Sequence, residues 1–160
     1  MWLDEAPPAA YTASSIVTKA VTPKAAIHAA RTIAGVEVII PRGSIHYALL
    51  GGELVEADVD GLEVSVFVNA AGAPFPTSLA GPPEKVRIGL LHEYADAVIR
   101  GVTKVAETSG APTRQQLRFG WAAHGLVGSS PWAFEKASGI VLQLLTLPSG
   151  DLNDLVGLFG

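Results

Sequence analysis

The period of the hydrophobic positions changes within residues 115–147. At first every second side chain is apolar, which is typical of a strand with one buried face: Leu117, Phe119, Trp121 and Ala123. A glycine-containing turn follows at 124–128. Ser130 and Pro131 then mark a helix start, because a serine hydroxyl caps free amides and proline suits the first helical position. The helix is predicted to extend to Pro148 and, since most of its circumference is apolar, to be buried.

Shorter apolar runs earlier in the chain predict further strands and a second helix. The strands are expected at 36–40, 45–50, 54–59, 62–68 and 85–90. Asp60 and Gly61 separate two of these runs and predict a hairpin with a two-residue turn. From Leu91 to about Gly110 the apolar positions recur with a helical period. Together these elements predict an α/β (α+β two-layer) fold, in which a mostly antiparallel sheet carries two helices packed on one face.

The chain divides into an expected core and two ends. Residues 1–35 are predicted to form an N-terminal arm and helix, with the helix over 23–34 because Thr22 and Pro23 resemble a cap and a first helical position. The core domain is expected at 36–148, with the Gly- and Pro-rich stretch 69–84 as a loop without regular structure. The C-terminal tail, 149–160, is predicted to form a helical turn started by Asp151.

The composition narrows the class of protein. Of 160 residues, 49% are hydrophobic, yet no apolar run reaches the roughly 20 residues that span a bilayer. We therefore expect no membrane segment and a homo-oligomer that buries the excess apolar surface. The first eleven residues lack the pattern of a secretory signal and the chain has no cysteine, so a cytoplasmic location is expected.

The charge pattern indicates which kind of partner, nucleic acid or protein, the chain is expected to bind. The net charge of −4 and the dispersed basic residues disfavour broad contact with nucleic acid, although an RNA partner stays open beside a protein partner. Four basic residues are expected near one end of the sheet: Arg100, Lys104, Arg114 and Arg118. They are interpreted either as a modest basic patch or as a solvated face.

The turn before the last helix is the candidate ligand site. Free amides and the helix dipole favour an anion there, and five residues are the candidates: His124, Gly125, Gly128, Ser129 and Ser130. A serine activated by His124 is a second interpretation, but helix capping explains both serines and is preferred. No catalytic residue is assigned. The four histidines lack the close spacing of metal ligands, so neither a metal nor a cofactor is predicted.

Two segments resemble domain IV of translation elongation factor G. Residues 92–102, HEYADAVIRGV, are similar to the first helix of that domain, and residues 123–137, AHGLVGSSPWAFEKA, are similar to the entry into its second helix. The resemblance implies the fold of ribosomal protein S-five domain two. It also implies a stand-alone, non-catalytic module that binds a protein or RNA partner, with a connection to translation. The GTPase motif GxxxxGK[ST] is absent from the chain.

The turn has a second resemblance. Residues 125–130, GLVGSS, are similar to the Gly-Leu-Gly-Ser-Ser phosphate loop of the GHMP small-molecule kinases. Val127 interrupts the glycine pattern, and Pro131 replaces a residue that would have an amide donor. This resemblance implies the alternative function, a small enzyme or a protein that binds an anion or small molecule at 124–130.

Overall fold

The computed structural model of the chain describes residues 1–69, 72–80, 85–126 and 128–148, with only the backbone of Arg42. Within these ranges it has seven strands and two helices. In chain order they are β1 (Trp2–Leu3), β2 (Ser15–Val21), β3 (Ile33–Arg42), β4 (Ser44–Glu56), β5 (Leu62–Val68), β6 (Val86–Ile88), α1 (His92–Ser109), β7 (Gln115–Gly125) and α2 (Pro131–Thr146). The fold is a two-layer α+β structure with a mostly antiparallel sheet, as the pattern of apolar positions predicts.

The sheet has the strand order β1-β3-β4-β7-β5-β2, and β6 pairs with the end of β7. Every pair of neighbouring strands is antiparallel except β5 and β7, which are parallel. Parallel neighbours need a crossover connection, and α1 lies in the one between β5 and β7. β7 therefore runs through the middle of the sheet and carries the candidate turn at its C-terminal end.

The predicted hairpin around Asp60 and Gly61 is wrong. β4 is one strand of 13 residues, and it pairs with β3 and β7 instead of β5. The backbone of Arg114, just before β7, bonds to both sides of the 57–61 connection: its oxygen accepts from Ala57 N at 3.1 Å and its nitrogen donates to Gly61 O at 2.9 Å. β7 thus separates the strands that the local turn signal would join.

Both helices pack on one face of the sheet. A single buried cluster combines side chains of the helices and of the strands, including Phe134 and Val141 of α2 with Leu117 and Phe119 of β7. The Ser130 cap is confirmed, because its Oγ accepts from Ala133 N at 3.2 Å and Pro131 is the first helical residue. Phe134 is fully buried and stacks on Tyr94 of α1 at 4.7 Å between ring centroids.

The predicted helix over 23–34 is also wrong. Apart from a bridge between Ala26 and Ala111, this segment is irregular until β3 begins at Ile33, and its backbone bonds to the C-terminal ends of the two helices. Lys24 N donates to Ala106 O of α1 at 2.9 Å, and Ala30 N donates to Leu145 O of α2 at 2.8 Å. The buried Arg31 guanidinium also donates to Leu144 O. Ala106 O also accepts from Gly110 N at 3.0 Å, whereas Leu144 O and Leu145 O lie in the last turn of α2, where helix carbonyls lack intrahelical donors. The bonds from this segment satisfy those α2 carbonyls.

The other face of the sheet is covered only in part. Pro7 lies against Gly35 and Gly51, where an added Cβ would come within 2.8 Å and 2.7 Å of its ring. Phe75, from the stretch predicted to lack regular structure, packs with Tyr47 in a second buried cluster. The described part of that stretch is irregular apart from two bridges, between Asn69 and Leu90 and between Pro74 and Arg87. The predicted tail helix at 151–160 lies outside the described residues.

Candidate functional site

The candidate turn predicted at 124–130 begins later in the structure, because His124 and Gly125 are the last two residues of β7 and pair with β6. The rest of it leads to the start of α2. Its hydroxyl groups bond within the protein. Ser129 Oγ donates to Tyr47 O at 2.7 Å and accepts from Gly125 N at 2.8 Å. Gly128 O accepts from Tyr47 N at 3.1 Å. The turn is therefore bonded to β4. The amide of Gly125, which an anion at the turn would need as a donor, already donates to Ser129 Oγ.

Tyr94 fastens the same turn to α1. Its hydroxyl donates to Ser129 O at 3.2 Å. Burial, and then the nearby charge of Glu93, raise the pKa of Tyr94, so its phenol stays protonated and able to donate. The turn is thus held from the sheet and from the helix layer.

His124 lies inside the protein. It is 2% exposed, and its Nδ1 is 2.9 Å from Gly89 O. Because a carbonyl oxygen only accepts, Nδ1 carries the proton and donates. The His124 ring is hydrogen-bonded to the Gly89 carbonyl and not to Ser129 or Ser130. The structure therefore does not bring His124 and Ser130 into a serine–histidine pair.

His46 is the histidine that approaches Ser130, with Nδ1 at 3.3 Å from Oγ. Its ring also meets Trp132 edge-on at 5.1 Å between centroids. Lys136 Nζ lies 5.9 Å from the Trp132 ring. Sequence reasoning missed His46 as a site residue because 84 positions separate it from Ser130 and no local motif surrounds it.

A second candidate surface lies on the open part of the sheet face opposite the helices. The side chains of Tyr11, Phe67 and Trp121 surround a shallow hollow of about 250 Å³, with Glu53 and Arg118 also lining it. The three aromatic side chains are partly exposed. Tyr11 Oη donates to Phe67 O at 2.6 Å, which fixes the N-terminal arm across β5.

The basic residues do not form one patch. Arg100 and Lys104 of α1 contact Glu135 of α2, with Arg100 Nε at 3.4 Å from Glu135 Oε2. Arg118 lies on the other side of the sheet, where its Nε donates to Gln116 Oε1 at 2.5 Å. The predicted basic patch is therefore divided between two faces of the molecule.

No family model matches the chain, and no curated protein is significantly similar to it.

The described helices include none long and apolar enough to cross a membrane. In the described ranges, no three His, Asp or Glu side chains form a group suited to a metal ion.

Proposed function

We propose that this chain is a non-catalytic α/β module that binds a protein partner through the open-face hollow, formed by Tyr11, Glu53, Phe67, Arg118 and Trp121. The observation that carries the proposal is a contrast between two surfaces. The groups at the candidate turn are largely engaged in internal hydrogen bonds, whereas aromatic rings and an arginine stay partly exposed around the hollow.

The residue types of the hollow favour a protein interface. Tyrosine, tryptophan and arginine are the side chains that most often dominate binding energy at such interfaces, usually near the centre of the contact. The backbone of Trp121 is held in place, because it forms a bridge with Ala10 and its Cβ lies beside Gly51. Binding through a residue of the sheet requires no ordering of backbone.

Charge favours protein over RNA as the partner. Glu53 is the register partner of Arg118, and both side chains line the hollow. Glu63 on the adjacent strand accepts a hydrogen bond from Gln116. A phosphate backbone would be repelled by these carboxylates and by the net charge of −4.

Photocrosslinking tests the proposal directly. A photoreactive amino acid at position 118 should crosslink one protein, and the same group at exposed Glu107 on α1 should not. With the purified partner, Trp121→Ala should raise Kd about tenfold or more in calorimetry, as expected for loss of a central anchor. Crosslinks to RNA alone, equal crosslinking from both positions, or an unchanged Kd would contradict the proposal.

The resemblance to elongation factor G domain IV supports a connection to translation. That connection predicts co-sedimentation of the chain with purified ribosomes, and Trp121→Ala should weaken it. A chain that stays in the supernatant at low salt would remove this part of the proposal while leaving the protein interface in place.

Anion binding or catalysis at the turn is the second candidate function. The observation that favours it is the position of His46, whose Nδ1 lies 3.3 Å from Ser130 Oγ at the N-terminus of α2. This candidate predicts that inorganic phosphate shifts the ring resonances of His46. The open-face proposal predicts no such shift.

A further inference from the structure

β2 is an edge strand with an open backbone. It is the last strand in the order of the sheet, and it pairs with β5 through seven successive residues without a bulge. In the described part of the chain, no strand lies on its other side. Most of its residues are exposed, and Ile16 is 54% exposed.

Edge strands are usually protected against pairing, and β2 has few of those protections. Proline, bulges and charged side chains are the common means of protection. β2 has no proline and no bulge, and Lys19 is its one charged residue. Its amides and carbonyls are therefore suited to accept another strand.

The opposite edge of the sheet differs. β1 covers β3 at Ala34 and Gly35, and Pro41 interrupts the donors farther along β3. Between Gly35 and Pro41, Glu37 Oε1 accepts from Leu79 N at 2.8 Å. This bond brings the segment 72–80 to the edge formed by β3. Of the two edges, β2 is the one prepared for pairing.

We infer that β2 pairs antiparallel with β2 of a second copy of this chain, which gives a symmetric dimer with one continuous sheet. The strand is complementary to itself. Centred on Thr18, the pairing uses all seven residues and places Ile16 opposite Ala20 of the copy and Lys19 opposite Val17. No like charges then face each other, whereas centring on Lys19 would oppose two ammonium groups.

The second copy also accounts for the exposed apolar side chain. The twofold axis is perpendicular to the sheet, so the helices of both copies lie on the same side. Ile16 and Ala20, which point to the other side, become cross-strand neighbours. Such a contact removes Ile16 from water, in keeping with an isologous dimer, the commonest symmetric assembly.

Disulfide trapping tests the register. The chain has no cysteine, so Thr18→Cys introduces a single thiol that lies directly opposite its own copy. Directly opposite residues have Cβ atoms about 4.5–5.5 Å apart, close enough for a disulfide after a small adjustment. Oxidation should convert this variant to a covalent dimer. Ser15→Cys is the control, because residue 15 and its copy would be about 20 Å apart along the strands.

A charge variant tests the same contact without a crosslink. Thr18→Lys opposes two ammonium groups and should raise the dimer dissociation constant about fivefold or more. Ser44→Lys adds the same charge at the exposed first residue of β4, away from β2, and should leave the dissociation constant unchanged. Light scattering measures the association, and circular dichroism checks that both variants are folded.

Three results would overturn the inference. The first is a monomer of the unmodified chain at high micromolar concentration. If the β2 amides of that monomer are protected from hydrogen exchange, another part of the same chain covers the edge, and the inference is overturned all the same. The second is a dimer that Ser15→Cys traps as well as Thr18→Cys. The third is a dimer that Thr18→Lys and Ser44→Lys weaken equally.

Discussion

Gly101 of α1 lies so close to Ser138 of α2 that a Cβ added at position 101 would be 2.0 Å from Ser138 Oγ. The same Cβ would be 2.1 Å from the backbone oxygen of Glu135. The two helices therefore meet with backbone against side chain at this point. Because a backbone oxygen cannot rotate away, the site requires glycine.

Gly101→Ala should destabilise the protein by about 1–3 kcal/mol, since the helices must separate to make room. Gly139→Ala is the matched control. Its Cβ would lie 3.2 Å from the end of the Val105 side chain, and alanine favours a helix by up to about 1 kcal/mol over glycine. Urea unfolding of both variants measures the difference. Equal stabilities would contradict this account of the helix contact.

Phe134→Ala should destabilise by about 3–5 kcal/mol, because it leaves a cavity under α2 and removes the ring stacked on Tyr94. Leu126→Ala is a control for loss of an apolar side chain, since Leu126 is 54% exposed, and it should cost less than about 0.5 kcal/mol. Thermal or denaturant unfolding distinguishes them. A loss below about 1 kcal/mol for Phe134→Ala would be incompatible with a core position.

Millimolar phosphate should leave the amide resonance of Gly125 unshifted, because its N–H already donates to Ser129 Oγ. His124→Ala should instead reduce stability by about 1–3 kcal/mol, since the Gly89 carbonyl would lose a buried donor. NMR titration and denaturant unfolding check the two parts. A phosphate-dependent shift of Gly125, with stability unchanged by His124→Ala, would support an anion site at the turn instead.

The pH dependence of stability should include a contribution from Glu135. Hydrogen bonding to Lys104, and less strongly to Arg100, lowers the pKa of Glu135 below its usual value, so its ionised form is favoured in the folded state. The contribution is present above the unfolded pKa and is lost as pH falls through the lower, folded pKa. It should be below about 1 kcal/mol, because solvent screens the exposed cationic partners.

Glu135→Gln tests this assignment. Unfolding free energies of the variant and the unmodified chain should differ at neutral pH and converge in acid, where both side chains are uncharged. A difference that stays constant from neutral to acidic pH would show that the ion pairs contribute nothing.

Much of the secondary structure was readable from residue periodicity. The alternation from Leu117, the helical stripe from Leu91 and the Ser130-Pro131 cap predicted β7, α1 and α2. These features depend on which side of one element is buried and on contacts a few residues apart. Such information is contained in the local sequence. The expectation that Trp121 and Ala123 share the buried face of Leu117 and Phe119 was wrong, because an irregularity at Gly120 shifts the register and moves both to the opposite face.

The candidate site was only partly readable. The sequence identified the turn and the capping role of Ser130, but it gave no signal that His46 would approach from β4 or that His124 would bond to Gly89. The hollow likewise combines residues of the arm and three strands. Side chains distant in sequence meet only after the sheet forms.

The sequence by itself determined the class of fold, through the periods and ends of its apolar runs. The tertiary structure decided which strands are neighbours and what happens to residues 24–31. A hairpin at Asp60 was locally favourable, yet β7 took the place between β4 and β5. A helix over 23–34 was locally favourable too, yet the last carbonyls of α2 needed donors, which Ala30 N and the Arg31 side chain supply. In both places long-range burial and hydrogen bonding outweighed a local preference worth only about 1 kcal/mol or less per residue.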